Sequence, residues 1–130
     1  MVSENAFDDA VKGVAGICHL ASVLTFSNVA DEVIPPTVKG TTNILASAGK
    51  ESSVKSVVYT SSSTAALMPV ADKVVHIKED TWNDYAVKAA QEPNPDSFTV
   101  YAASKTEAEL AFWKAAKDAK ASFQVSYVQC

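Results

Sequence analysis

Short apolar runs alternate along this chain with longer stretches in which apolar residues recur every three or four positions. Residues 15–20 form a nearly unbroken apolar run, as expected of a parallel strand buried on both faces. Residues 55–62, built round Val57, Val58 and Tyr59, read as a second strand, and residues 122–128 as a third. The text between them is helical in pattern. One helix begins near Pro35 or Pro36, since proline is tolerated in a first turn, and stops by Gly49. The alanine-, lysine- and glutamate-rich residues 98–119 are the strongest helix signal. A shorter helix is expected over 80–90, a short strand over 74–77, and a proline-marked loop over 91–96. Ser3 is placed to cap a further helix over 4–12, ended by Gly13.

Alternating strand and helix imply an α/β fold: a partial Rossmann-like parallel sheet with right-handed crossovers and helices on both faces. The length suits a single domain over 1–130. In such a sheet the ligand crevice lies at the carboxyl ends of the strands, which puts Ala21 and Ser22, and Ser61 and Ser62, on its rim.

Composition narrows the classes. Formal charge is −4 and every basic residue is lysine, so there is no basic patch for nucleic acid. No apolar run approaches a membrane span, and Glu4, Asp8 and Asp9 precede any basic residue, unlike a secretory signal. Cys18 and Cys130 do not make a disulfide framework, which fits a reduced cytoplasmic protein. Cys18 and His19 are neighbours in a strand and point to opposite faces, and His76 has no partner at metal-ligand spacing, so no metal site is expected.

Candidate chemistry centres on Tyr101-Ala102-Ala103-Ser104-Lys105. Residues four apart on a helix stand one turn apart on one face. A lysine ammonium beside a phenol favours the phenolate, which suits Tyr101 to give up a proton in general acid catalysis. The hydroxyl run Thr60-Ser61-Ser62-Ser63 follows the second strand and can bring a hydroxyl to the same substrate oxygen. Ala102, Ala103 and Ser104 are small enough for a cofactor to approach the helix. Phe112 and Trp113 read as core aromatics, and Glu107 and Glu109 as a solvated helix face.

Four stretches in order carry a resemblance: residues 10–22, residues 33–45, residues 57–64, and Tyr101 to Lys105. The chain resembles the extended short-chain dehydrogenase/reductases, especially the dihydroflavonol reductases and the fungal NADPH-dependent aldehyde, ketone and methylglyoxal reductases. The resemblance implies that Tyr101 donates the proton to a carbonyl. Lys105 would hold the nicotinamide ribose, and Ser62 would align as the catalytic serine, with Ser61 and Ser63 as close alternatives. It places Leu20, Ala21, Ser22 and Ser61 against the cofactor together with Tyr101 and Lys105. That cofactor is NADP, with NAD as the other choice, and the substrate is a small carbonyl compound. It also implies homodimerisation through the Tyr101-bearing helix, which would put Phe112 and Trp113 at the interface. Asn43 lies on the helix expected to hold the family's asparagine but reads as structural. Trp82 and Tyr85 fall where the family's substrate loop would be.

One departure matters. The family opens with a Gly-rich turn that cradles the pyrophosphate, whereas this chain has glycines only at 13, 16, 40 and 49. The first βαβ units are expected to be missing, and the chain reads as the middle of a longer reductase. The alternatives are a sugar-nucleotide epimerase or dehydratase sharing the same Ser, Tyr and Lys, and a non-catalytic product or partner subunit.

Overall fold

Three strands, β1 (Gly16–His19), β2 (Ser56–Ser61) and β3 (Gln124–Gln129), pair in the order β1-β2-β3, both pairs parallel. The structure is a computed structural model that describes residues 1–118 and 122–130. The register sets Ile17 beside Val57 and His19 beside Tyr59, and Val57 and Tyr59 in turn beside Val125 and Tyr127. Alternation puts these side chains on one face, and Cys18, Val58 and Ser126 on the other.

Helix α1 (Ala30–Lys50) links β1 to β2. The short α2 (Asp84–Ala89) and the long α3 (Ser97–Asp118) link β2 to β3. The sheet advances in one direction, so right-handed crossovers bring α1 and α3 to the same side. Leu45 and Ala48 of α1 and Ala108 and Phe112 of α3 meet Val57 and Tyr59 there in the main core. Tyr59 stacks between His19, at 6.0 Å, and Phe112, at 5.1 Å. The other face leaves Cys18, Ser126 and Val128 exposed. Among the described residues, helical cover is therefore seen on one side of the sheet.

A second cluster joins Val33 and Ile34 of α1 to Ala86 and Ala90 and to Val100, Ala102 and Ala103 of α3. Ala102, Ala103 and Ser104 are fully buried in this packing. Their small size lets the helices approach one another, and the expectation that it serves close cofactor approach is corrected. Asp96 caps α3, its Oδ1 accepting from the Thr99 N–H at 2.9 Å. Those bonds from Thr99 hold the Asp96 carboxyl below its ordinary pKa.

Other boundaries shift for identifiable reasons. Helix α1 begins at Ala30, before both prolines. Pro35 and Pro36 lack the N–H groups that would meet the carbonyls of Asp31 and Glu32, and those two residues are exposed to water. Thr37 and Thr41, buried on α1, satisfy their hydroxyls on the carbonyls of Val33 and Thr37, at 2.7 and 3.0 Å. Residues 4–13 form successive turns instead of a helix, with Asn5 at φ 60° and Gly13 at φ 70°. Asn43 ties this segment down by donating to the carbonyls of Met1 and Ser3, a structural role. Residues 74–77 form no strand, and Val74, Val75 and Ile77 are exposed. The expected end of the long helix at Ala119 lies outside the described residues. No helix among them is long and apolar enough to cross a membrane.

Candidate active site

Parallel pairing brings the carboxyl ends of β1 and β2 to the same edge of the sheet. The loop after β1 starts with Leu20, Ala21 and Ser22. The turn after β2 starts with Ser62 and coils into a short 3₁₀ turn, Ser63–Ala65. Helix α3 closes over this edge through two neighbouring side chains. Lys105 Nζ donates to the carbonyl of Thr60 at 3.1 Å, just before the serine turn. Thr106 Oγ1 donates to the carbonyl of Ala65 at 3.2 Å, just after it. Asn83 pins the same turn from the other side, its Nδ2 donating to the carbonyl of Thr64 at 2.8 Å. Residues 61–64 are thus clamped between α3 and the start of α2.

The three serines receive different environments. Ser61 points to the helical side, where its hydroxyl donates to Glu109 Oε2. Ser62 caps the 3₁₀ turn. Its Oγ accepts from the Thr64 N–H at 3.4 Å and from Thr64 Oγ1 at 3.0 Å. A hydroxyl that accepts still has its own proton to give, so Ser62 is buried yet keeps a free donor. Ser63 is exposed.

Tyr101 lies one turn before Lys105, half-buried, with Phe26 at 5.9 Å and Phe98 at 6.3 Å from its ring. Phe26 belongs to the loop that begins at Leu20, so the structure brings the end of β1, the Tyr101 turn and the serine turn to one rim. Leu20 and Ala21 are exposed there. Ser22 Oγ is buried without a hydrogen-bond partner among the described residues, a polar atom with its capacity unspent.

Lys105 is only 3% exposed. Its Nζ lies 5.2 Å from the centre of the Tyr59 ring, within cation–π range. Burial pushes the Lys105 ammonium down from its ordinary pKa, and the negative charges of Glu109 and Cys130 pull it partly back. His19 is lowered by burial and then by Lys105. Burial raises the Tyr59 phenol, whose hydroxyl finds no partner at hydrogen-bond geometry among the described residues. Tyr59 is therefore a neutral wall of the site.

Three contributors escaped the sequence reading. Glu109 is 1% exposed, which corrects the solvated face assigned to it. Glu107, also placed on that face, is half-buried, and burial raises its pKa. The signal for Glu109 was present, since it lies one turn past Lys105 and two past Tyr101 on the same face. Thr106 and Asn83 carried no such mark, because their roles depend on carbonyls distant in sequence. Phe112 is fully buried within the chain, so it is a core residue and the interface role is corrected. A cavity of about 420 Å³, lined by Glu79, Trp82, Trp113 and Tyr127, is separate from these residues.

Comparison with known proteins gives this arrangement a context. Aldehyde reductase 2 of Sporidiobolus salmonicolor is 44% identical to the chain, over 98% of the chain and 39% of the relative. An NAD-dependent epimerase/dehydratase of Aspergillus terreus is 36% identical, over 94% of the chain and 37% of the relative. Among solved structures, Gre2 of Candida albicans in complex with NADPH superposes with a TM-score of 0.83 at 31% identity, covering 98% of the chain and 40% of that protein. The chain spans about two fifths of the length of these relatives. The NAD-binding family described as Male sterility protein matches residues 2–129. With that match running nearly end to end, and with the Rossmann-like sheet of its relatives, the chain belongs to this family within the NAD-dependent epimerase/dehydratase superfamily.

Proposed function

We propose that the rim formed by Ser62, Tyr101 and Lys105 is a carbonyl-reducing site that uses NADPH. The observation that carries this reading is the double clamp of α3 on the serine turn. Lys105 and Thr106 grip it on either side of Ser62, so the Tyr-x-x-x-Lys turn and the serine hydroxyl are held at one edge. Preorganised donors of this kind stabilise charge developing on a carbonyl oxygen.

Leu20, Ala21, Ser22, Ser61, Tyr101 and Lys105 are the residues proposed to hold the cofactor. Ser22 Oγ, without a partner among the described residues, and the exposed Leu20 and Ala21 suit that role. Ser61 would contribute through its backbone, its hydroxyl being committed to Glu109. Bound NADPH would supply hydride to the carbonyl carbon. Tyr101 gives its phenolic proton to the carbonyl oxygen, Ser62 donates a hydrogen bond to the same oxygen, and Lys105 would hold the nicotinamide ribose. The substrate is a small aldehyde or ketone, as the name of the Sporidiobolus relative suggests. A second copy of the chain is the proposed partner through α3, on which Leu110 is exposed.

Kinship with an epimerase/dehydratase supports a second reading, conversion of a nucleotide sugar by the same three residues. One assay separates them. Consumption of NADPH with small aldehydes and ketones is expected, with no conversion of a UDP-sugar. Sugar conversion without net NADPH consumption would replace the reductase reading with the second.

A further inference from the structure

The carboxylate of Glu109 is the one acidic group that α3 sends into the buried site, and the reaction proposed above does not use it. Its side chain is sealed from solvent, where an unbalanced carboxylate would be costly. Two observations bear on how it is accommodated. Ser61, next to the proposed catalytic serine, donates its hydroxyl to Glu109 Oε2. Lys105, one turn earlier on the same face, is the other buried charge on this side of the sheet among the described residues. The only protein acceptor that Lys105 Nζ reaches among the described residues is the Thr60 carbonyl, so a single neutral oxygen faces its three protons.

We propose that Glu109 is a positioning residue for this site. Its carboxylate balances the Lys105 ammonium across the core and fixes the Ser61 hydroxyl away from the rim, leaving Ser62 as the serine whose proton is free. The inference rests on the reading of Ser62, Tyr101 and Lys105 as a reducing site. The neighbours agree with it. Burial alone drives Lys105 toward its neutral form, and the negative charge of Glu109 is the largest influence opposing that drift. Among the described residues, the other titratable groups round Lys105 are Tyr101, one turn earlier on α3, Tyr59 on β2, His19 on β1 and Cys130 after β3. Tyr59 is held neutral by burial, and His19 is disfavoured as a cation. Glu109 is thus the anion placed within the fold to hold the lysine charge.

The sign of the effect follows. A lysine whose folded-state pKa is lowered loses its proton at a lower pH than a free lysine, and removing Glu109 lowers it further. The test is a pH titration of the full chain carrying ¹³C- and ¹⁵N-labelled lysine, with the Lys105 signal assigned from its absence in Lys105→Met. In Glu109→Gln, Lys105 is expected to lose its proton at a lower pH than in the wild type, and Glu109→Asp should recover part of the shift. A purely structural glutamate would leave the Lys105 titration where it is, and that result overturns the proposal. Should the glutamine variant fail to fold, Glu109→Asp decides: it keeps the charge but draws it back by one methylene, so Lys105 must lose its proton at a lower pH than in the wild type, and an unmoved Lys105 titration in that variant is equally fatal. Absence of NADPH binding in the wild type would defeat the reductase reading while leaving this titration to stand or fall by itself.

Discussion

Replacing Tyr101 with phenylalanine is expected to lower the rate of carbonyl reduction by about 10²–10⁴-fold, the usual contribution of a positioned general acid. Affinity for NADPH should barely change, because the ring that remains keeps its neighbours Phe26 and Phe98 and loses only the hydroxyl. The loss belongs in kcat. Ser62→Ala should cost about 10²–10³-fold, the scale for one donor to a developing oxyanion. Steady-state kinetics on both variants would check the order. A Tyr101→Phe enzyme within about tenfold of wild type, well short of a general acid's contribution, would remove Tyr101 from the proton-donating role.

The second large effect concerns the fold that holds the site. Phe112→Ala is expected to cost about 3–5 kcal/mol, the range for emptying a fully buried aromatic position. Phe112 stacks on Tyr59 at 5.1 Å and meets Trp113 edge-on at 5.4 Å, and it is fully buried. Tyr59 in turn lies beneath Lys105, so a collapse here would also loosen the floor of the site. Against a total stability of about 5–15 kcal/mol, the loss is a large share, and denaturant titration should show it directly. A cost below about 1 kcal/mol would mean the core relaxes into the space.

The sequence made the frame of this protein readable for physical reasons. Short apolar segments centred on Ile17, Val57 and Val125 stood out as strands, although only the central one alternates with fully buried side chains. The Tyr101–Lys105 turn was visible because four residues make one helical turn. Other features were hidden by their dependence on distant atoms. Helix α1 starts before Pro35 and Pro36 because water can serve the two freed carbonyls, which local propensity does not register. Residues 4–12 carry a helix-like pattern, yet Asn5 and Gly13 adopt positive φ and the segment is pinned by Asn43 on another element. Residues 74–77 have strand-like composition, but a strand needs a neighbour to pair with. At the site, the hydroxyl run was legible and the division of labour within it was not. Glu109 turns Ser61 inward, and the clamp by Thr106 and Asn83 holds the turn that leaves Ser62 free to donate.

The central claim is that this rim holds a nicotinamide cofactor through Lys105. Its most direct test is a titration of the purified chain with NADPH, followed by nicotinamide fluorescence, beside a Lys105→Ala chain shown by circular dichroism to be folded. The account predicts saturable binding in the wild-type chain and its loss in the variant. Equal binding by both chains, or none by a folded wild-type chain, would contradict it.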